Sequence, residues 1–152
     1  MARTMVSHLC AGGIAAEFAT AIAEHVWGKA VINTCVNGTC GIFRINVKNL
    51  FKHTIGMQLV EEITREVVAV AAAKGIRLEY DALMSDMIAS VALAGEHYPS
   101  MAQDIRHKRR TEIDSLNGAI VKYGRELGIP TPTNAYVARF VKIIEENYAV
   151  QY

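Results

Sequence analysis

The sequence predicts an all-α protein, a compact bundle of helices in one domain. Apolar residues recur at steps of three and four over several long segments, and no segment of useful length alternates apolar and polar residues as a half-buried strand does. Only three prolines occur in 152 residues, so most of the chain is free to be helical. Apolar residues make up 51% and charged residues 20%, which is typical of a globular protein with a sizeable core.

Four segments have the apolar spacing of helices. Two glycines that follow such segments, Gly75 and Gly128, are expected to stop them, and Pro130 and Pro132 strengthen the second stop. Residues 28–38 ("GKAVINTCVNG") would form a buried helix, although Asn37-Gly38 also resembles a helix end. The four helical segments are residues 54–74, 80–94, 112–127 and 134–148.

Two short motifs resemble helix starts. In "PSMAQD" (99–104), Ser100 is expected to accept the backbone N–H of Gln103 while the Gln103 side chain reaches back, as in a capping box. "TEID" (111–114) is a weaker version, with Thr111 and Asp114 in the two roles. We therefore expect helices to begin at both places.

Charge and cysteine content exclude several classes of function. Sixteen Lys and Arg against fifteen Asp and Glu give a formal net charge of +1, which implies no general attraction to nucleic acid or membranes. The basic run "RHKRR" (106–110) is local and reads as a solvated connecting face. Cys10, Cys35 and Cys40 lack CxxC spacing and predict reduced thiols without a metal. No signal peptide is visible and the longest apolar stretch, residues 67–73, is too short for a bilayer, so we expect a cytoplasmic protein.

A polar ladder interrupts the apolar segment 28–38. Lys29, Asn33 and Asn37 are spaced at steps of four, which places them on one side of a helix. An ammonium without a partner is costly to bury, so the ladder must face water, a carboxylate or a ligand. A cation with two amides suits a small molecule that carries carbonyl, hydroxyl and carboxylate oxygens. The alternative is that Lys29 reaches the surface while the asparagines cap or bond the backbone.

A second polar island covers residues 97–120. Ser100 and Glu112 stand near the starts of successive helices, where a capping serine and an acidic residue are common without any further function. Taken alone, this island favours a structural role.

Together, the two islands resemble the C-terminal substrate domain of ketopantoate reductases, also called 2-dehydropantoate 2-reductases. The resemblance implies a bundle of the 6-phosphogluconate dehydrogenase C-terminal type and runs over essentially the whole chain. It rests on "WGKAVINTCVN" (27–37), "EEITREVVAVAAAKGI" (61–76), "HYPSMAQDIRHKRRTEIDSLNGAIVKYGRELGIPTPTN" (97–134) and the closing helix.

The resemblance implies roles for five residues. Lys29 matches the family's catalytic lysine, which would donate to the ketone oxygen of the substrate as general acid. Asn33 and Asn37 match substrate-binding asparagines, Ser100 matches a substrate-binding serine, and Glu112 matches a glutamate at the cofactor and substrate cleft. We therefore expect Lys29 and Glu112 to face one shared cleft.

Three positions depart from the family pattern. The family usually has Asn-Pro where this chain has Asn37-Gly38, so the turn there would be looser. Some members have an asparagine where this chain has His97, which we expect to be structural. A further family asparagine corresponds to either Asn46 or Asn49.

The nucleotide-binding half of the family enzyme has no counterpart in the sequence. The Rossmann fingerprint G-x-G-x-x-G after a strand does not occur, and "CAGGIAAEF" (10–18) has the wrong glycine spacing. Residues 1–13 are interpreted as a remnant of the interdomain junction and residues 14–152 as the helical substrate-binding domain.

The expected function follows from that reading. The chain would be the substrate-binding and catalytic-lysine half of an NADPH-dependent reductase that converts ketopantoate to pantoate for pantothenate and coenzyme A synthesis. NADPH belongs to the full-length enzyme and should not bind this chain tightly, so the chain should be inactive alone. Expected partners are a 2-keto acid or pantoate, the missing N-terminal nucleotide-binding domain and a second copy of the chain. The alternative is a non-enzymatic helical interaction module that kept the fold.

Overall fold

The structure, a computed structural model, describes residues 1–18, 22–94 and 96–150, and these contain eight α-helices and no strand. The all-α prediction is confirmed. No helix of the described residues is both long enough and apolar enough to cross a bilayer. In chain order the helices are α1 (Ala2–Ala11), α2 (Ile22–Phe43), α3 (Val47–Lys52), α4 (Thr54–Ala73), α5 (Tyr80–Ala94), α6 (Ser100–Arg106), α7 (Asn117–Leu127) and α8 (Pro132–Glu146).

Helix α2 is the centre of the bundle and packs against α4, α6 and α8. All its residues from 34 to 41 are buried, so this stretch is surrounded on every side. Two glycines permit the close packing. A Cβ atom on Gly38 would lie 2.8 Å from the Val137 side chain of α8, and one on Gly41 would lie 2.5 Å from the Ile105 side chain of α6. These small residues let α8 and α6 approach the α2 backbone.

Most predicted helices are confirmed. Helix α5 has the predicted bounds, and α4 and α8 lie within two residues of theirs. Gly75 and Gly128 adopt left-handed backbone angles, φ 74° and 70°, just beyond α4 and α7. Glycine reaches this region without steric cost, which explains why both helices stop there.

Helices α1 and α3 were not predicted. Helix α1 has no buried residue. Helix α3 is only six residues long, too short for a periodic signal, and the side chain of Asn46 caps it by accepting the N–H of Asn49 at 2.9 Å. Gly56 of α4 lies against the backbone carbonyl of Leu50 in α3, where no side chain would fit.

The predicted start of the helix at 112–127 is wrong. Helix α7 begins at Asn117, and residues 112–116 form turns in which the Glu112 carbonyl accepts the N–H groups of Ser115 and Leu116. The Thr111 hydroxyl accepts the N–H of Ile113 at 3.3 Å within this turn, so "TEID" is not a capping box. Ile113 is fully buried without being helical, and its spacing from later apolar residues therefore imitated a helix.

The capping box at residues 99–104 is also wrong, although α6 does begin at Ser100. Pro99 is the N-cap, and no side chain caps the helix. The Gln103 side chain reaches back as predicted, but its amide donates to the carbonyl of Tyr98 at 2.9 Å. The Ser100 hydroxyl is therefore left to other partners.

Asn37-Gly38 is not a helix end or a turn. Helix α2 continues through both residues to Phe43, and the absent side chain at position 38 makes room for α8. The expectation of a looser turn at this point is wrong.

All three cysteines are free thiols, as predicted. Cys10 is exposed, whereas Cys35 and Cys40 lie inside α2. Burial raises the pKa of the Cys35 thiol to about 12, although its hydrogen bond with the Thr64 hydroxyl lowers the pKa somewhat. Burial also raises the pKa of Cys40 to about 12. Both thiols therefore stay protonated at neutral pH, which excludes them as nucleophiles.

Candidate functional site

The polar ladder follows one side of α2 from the surface into the bundle. Lys29 is exposed, Asn33 is half-buried and Asn37 is only 4% exposed. On a helix, each step of four rises about 6 Å and turns by roughly 40°. The three side chains therefore form a continuous polar path from solvent inward.

The inner part of this path opens into a cavity of about 300 Å³ between α2, α3, α5 and the start of α6. Asn33 and Asn37 line it together with Ser100, His97 and Ser90. Its other walls are mostly apolar and come from α2, α3 and α5. The residues of the apolar wall are Ile32, Val36, Val47, Phe51, Met87 and Val91.

One hydrogen bond ties the two polar islands of the sequence together. The Asn37 carboxamide donates to the Ser100 hydroxyl at 3.4 Å. Among the described residues, Asn33 has no hydrogen-bond partner for its carboxamide, and neither amide is bonded to the main chain. Both amides and the hydroxyl are therefore available to a polar ligand in the cavity.

Lys29 and Glu112 do not line this cavity. The Lys29 ammonium lies one turn outward from Asn33 and makes no ion pair with another described residue. Glu112 is exposed in the turn before α7. The structure thus brings together Asn33, Asn37 and Ser100, with Lys29 one turn away and Glu112 outside the group.

The structure distinguishes Asn46, Asn49 and His97, whose part in the site the sequence left open. Asn46 is buried and its side chain is engaged in capping α3, while Asn49 is exposed. His97 lines the cavity, and its carbonyl accepts the N–H of Val47 at 3.3 Å. His97 is therefore the one of the three that a ligand in this cavity would meet.

The apolar wall was missed by sequence reasoning. Val47 and Phe51 belong to the short helix α3, whose length hid it. Met87 and Val91 are one turn apart on α5 and were taken simply as part of an apolar helix. A second hollow of about 230 Å³ shares Phe51 and Val91, so the apolar side continues beyond the first cavity.

A buried polar cluster, also missed, fixes α2 against three other helices. Asn117 of α7 is completely buried and donates to the carbonyl of Thr34 at 3.1 Å and to the side chain of Asn134 at 3.0 Å. Asn134 of α8 donates in turn to Glu66 of α4 at 2.7 Å. Since Thr34 follows the second ladder residue, the cluster holds the part of α2 that carries the amides.

Glu66 also caps α8. Its carboxylate accepts the backbone N–H groups of Thr133 at 2.7 Å and Asn134 at 2.9 Å, while Thr131, the N-cap residue, makes no side-chain cap. A carboxylate at a helix N-terminus satisfies free N–H donors and opposes the positive end of the helix dipole.

Comparison with known proteins gives a consistent family. The model of the family described as "Ketopantoate reductase PanE/ApbA C terminal" matches residues 21–145. A 2-dehydropantoate 2-reductase of Streptococcus pyogenes is 34% identical over 130 residues, which cover 85% of this chain and 41% of that protein. One from Aquifex aeolicus is 28% identical over 139 residues, covering 88% of this chain and 44% of that protein.

Solved structures are similar as well. A D-mandelate dehydrogenase with NADH and anilino(oxo)acetate superposes with a TM-score of 0.90 at 32% identity, covering 98% of this chain and 62% of the other. A ketopantoate reductase from Ralstonia eutropha superposes with a TM-score of 0.88 at 28% identity, covering 95% and 48%. This chain spans about half the length of the curated relatives that it matches, between 41% and 50%. The chain belongs to the ketopantoate reductase family, in which it corresponds to the all-α C-terminal domain.

Proposed function

We propose that this chain is the substrate-binding and catalytic-lysine half of an NADPH-dependent 2-dehydropantoate 2-reductase. The observation that carries the proposal is the cavity in which Asn33, Asn37 and Ser100, from two distant parts of the sequence, meet along the ladder that begins at Lys29. Family membership supplies the reaction class, because the curated relatives are 2-dehydropantoate 2-reductases.

The proposed chemistry assigns one task to each group. Asn33 and Asn37 each offer a donor and an acceptor, so they can hold a substrate hydroxyl and a carboxylate oxygen in one orientation. Ser100, already held by Asn37, adds a third polar contact. The Lys29 ammonium, at the outer end, would donate to the ketone oxygen while negative charge develops on it and then supply the proton of the new alcohol.

NADPH, which would supply the hydride, does not fit the described residues of this chain by themselves. A dinucleotide site of the Rossmann type needs parallel strands and a glycine-rich turn, and the described residues contain no strand. We propose that this site belongs to a nucleotide-binding domain, that Glu112 lies on the side facing that domain, and that the chain alone has no significant reductase activity.

Titration of the ¹⁵N-labelled chain with pantoate tests the proposal. We expect chemical-shift changes at millimolar pantoate that are concentrated at Asn33, Asn37 and Ser100, including both side-chain amides. Lys29→Ala should weaken binding at least tenfold, whereas Lys122→Ala, which removes an exposed cation from α7, should leave it unchanged. An absence of shifts at these residues would instead favour the non-enzymatic interaction module.

Reconstitution tests the division of labour between the domains. A separately expressed nucleotide-binding domain from a family member would be mixed with this chain, and NADPH absorbance followed with ketopantoate present. Oxidation of NADPH that needs both polypeptides and is lost with Lys29→Ala would support the assignment. Turnover by this chain alone would contradict it.

A second substrate class is favoured by the apolar wall. The six apolar residues around the cavity suit a 2-oxo acid with a bulky apolar substituent better than one with a hydroxyl. The similar D-mandelate dehydrogenase structure contains anilino(oxo)acetate, a ligand with an aromatic ring. Comparing phenylglyoxylate with ketopantoate in the same titration separates the candidates, since tighter phenylglyoxylate binding would assign the chain to aryl 2-oxo acids.

We propose that the chain self-associates through an apolar surface between α2, α4 and α8, away from the cavity that holds Asn33 and Asn37. Phe43, Tyr136 and Phe140 line a hollow of about 510 Å³ between α2, α4 and α8, and all three are substantially exposed. Exposed apolar surface of this kind commonly marks an interface. Light scattering should report a dimer that Phe140→Glu converts to a monomer with unchanged helicity, and a monomeric parent chain would contradict the proposal.

A further inference from the structure

Another cavity, of about 480 Å³ and separate from those described above, lies where the C-terminal ends of α2 and α6 meet. It shares no lining residue with the cavity that holds the polar ladder. Its floor is formed by Gly41 and Ile105, where the missing side chain of Gly41 lets the two helices pack closely. The proposed reaction assigns it no task.

Three cations surround this cavity. Arg44, Arg106 and Lys108 line it, and no carboxylate occurs among the described residues of its lining. Of the acidic residues on the same stretch of chain, Asp104 is paired with Arg109 at 2.8 Å, and Glu96 lines the neighbouring hollow that shares Arg106. The cavity therefore carries a surplus of positive charge.

The backbone at two of these cations is unusual. Arg44 and Lys108 both have φ of 54°, and they are the two described residues other than glycine with a positive φ. Each follows the end of a helix, α2 or α6, where glycine is the ordinary choice. Strained residues of this kind persist mainly at functional sites such as ligand clamps.

An ordinary explanation exists for each cation separately. A positive side chain beside the C-terminal end of a helix offsets the partial negative charge of the free carbonyls. Helix-end electrostatics does not explain why the three cations from two helices meet, or why they meet around a concave cavity. Tyr98, 45% exposed, adds an aromatic face at the rim.

We propose that this cavity binds a phosphate-bearing small molecule, with the phosphate oxygens between the guanidinium groups of Arg44 and Arg106 and a planar group against Tyr98. Guanidinium groups match phosphate oxygens in pairs, which favours phosphate over a monocarboxylate. A volume of about 480 Å³ accommodates a ligand of nucleotide size.

Titration of the labelled chain with inorganic pyrophosphate, and separately with AMP, tests the site. We expect saturable shifts at Gly41, Arg44 and Arg106, weaker with acetate at the same ionic strength. Tyr98→Leu should weaken AMP binding several-fold and leave pyrophosphate binding unchanged.

Charge-removing variants can be made without added strain. Arg44→Gly takes away the cation and supplies the residue that the backbone favours, so this variant should fold. Arg44→Gly and Arg106→Gln should each weaken pyrophosphate binding about tenfold, while Lys122→Gln on α7 should not. Three results would overturn the proposal. The first is chemical-shift changes spread evenly over the basic surface, and the second is an equal loss of pyrophosphate affinity in Arg44→Gly, Arg106→Gln and Lys122→Gln. The third is pyrophosphate binding that does not saturate at a 10-fold excess over millimolar protein.

Discussion

Glu66→Gln is the most informative single change in the helical framework. The Glu66 carboxylate accepts three hydrogen bonds, from the backbone N–H groups of Thr133 and Asn134 and from the Asn134 side chain. Glutamine keeps the size of the side chain but replaces one acceptor oxygen with an NH₂ group that faces donors. At least one N–H at the start of α8 then loses its partner, and the favourable interaction with the helix dipole is lost as well.

The magnitude follows from these losses. A hydrogen bond to a charged group contributes about 1.5–3 kcal/mol, and an unpaired, partly buried donor costs about 1–3 kcal/mol. Because the three bonds share one side chain, their energies do not add, and we expect a loss of about 3 kcal/mol in the free energy of unfolding. For a domain of this size that corresponds to a fall in Tm of roughly 6–12 °C.

Urea and thermal unfolding followed by circular dichroism would measure the effect. Glu62→Gln is the matched control, because Glu62 accepts only the Thr133 hydroxyl, at 3.3 Å and in an exposed position. We expect the control to change stability by less than about 0.5 kcal/mol. If the two variants lose the same stability, the carboxylate of Glu66 does not cap α8 in the way described.

Three further predictions concern the packing and the thiols. Gly56→Ala should destabilise the fold by about 3 kcal/mol or more in urea unfolding, because its Cβ would meet a backbone carbonyl of α3; Gly28→Ala, whose Cβ meets only an ordinary contact, should be neutral or slightly stabilising. Iodoacetamide should label Cys10 alone in the native protein, as counted by mass spectrometry, and rapid labelling of either α2 thiol would contradict their burial. The pKa values of Cys35 and Cys40, raised from 9.0 to about 12, mean that unfolding releases protons above pH 9. Stability is therefore complete below pH 9 and should fall between pH 9 and 12 by up to about 1.4 kcal/mol per pH unit for each thiol, a slope that Cys35→Ala with Cys40→Ala should flatten.

Periodicity alone was sufficient for the long amphipathic helices. Helices α4, α5 and α8 expose one face and bury the other, so their spacing carries their structure. The full length of α2 could not be predicted from periodicity, since its residues 34–41 are buried on all sides and present no solvent-exposed polar face. Asn37-Gly38 resembled a helix end in the sequence, whereas Gly38 and Gly41 are points of close helix contact in the structure.

The residues of the candidate site could be singled out from the sequence only where residue type and spacing combine. The steps of four in the ladder, together with the resemblance to the family, singled out Asn33, Asn37 and Ser100, which share one cavity. Nothing in the sequence pointed to the apolar wall, because it is assembled from three helices and one of them is a six-residue helix. The cluster of Asn117, Asn134 and Glu66 was equally hidden, since long-range side-chain bonds leave no local periodic trace.

Helix α2 extends unbroken over 22 residues, and its middle lines one cavity while its last turn lines the other. Because the backbone hydrogen bonds of an α-helix make it stiff, a ligand that displaced one end of α2 would alter the geometry at the other end. If both proposed ligands bind, thermodynamic linkage makes such an influence mutual: the factor by which an anion at Arg44 changes the affinity for a keto acid at Asn37 equals the factor by which the keto acid changes the affinity for the anion. The fold-change that the second ligand causes in either affinity would therefore be the same.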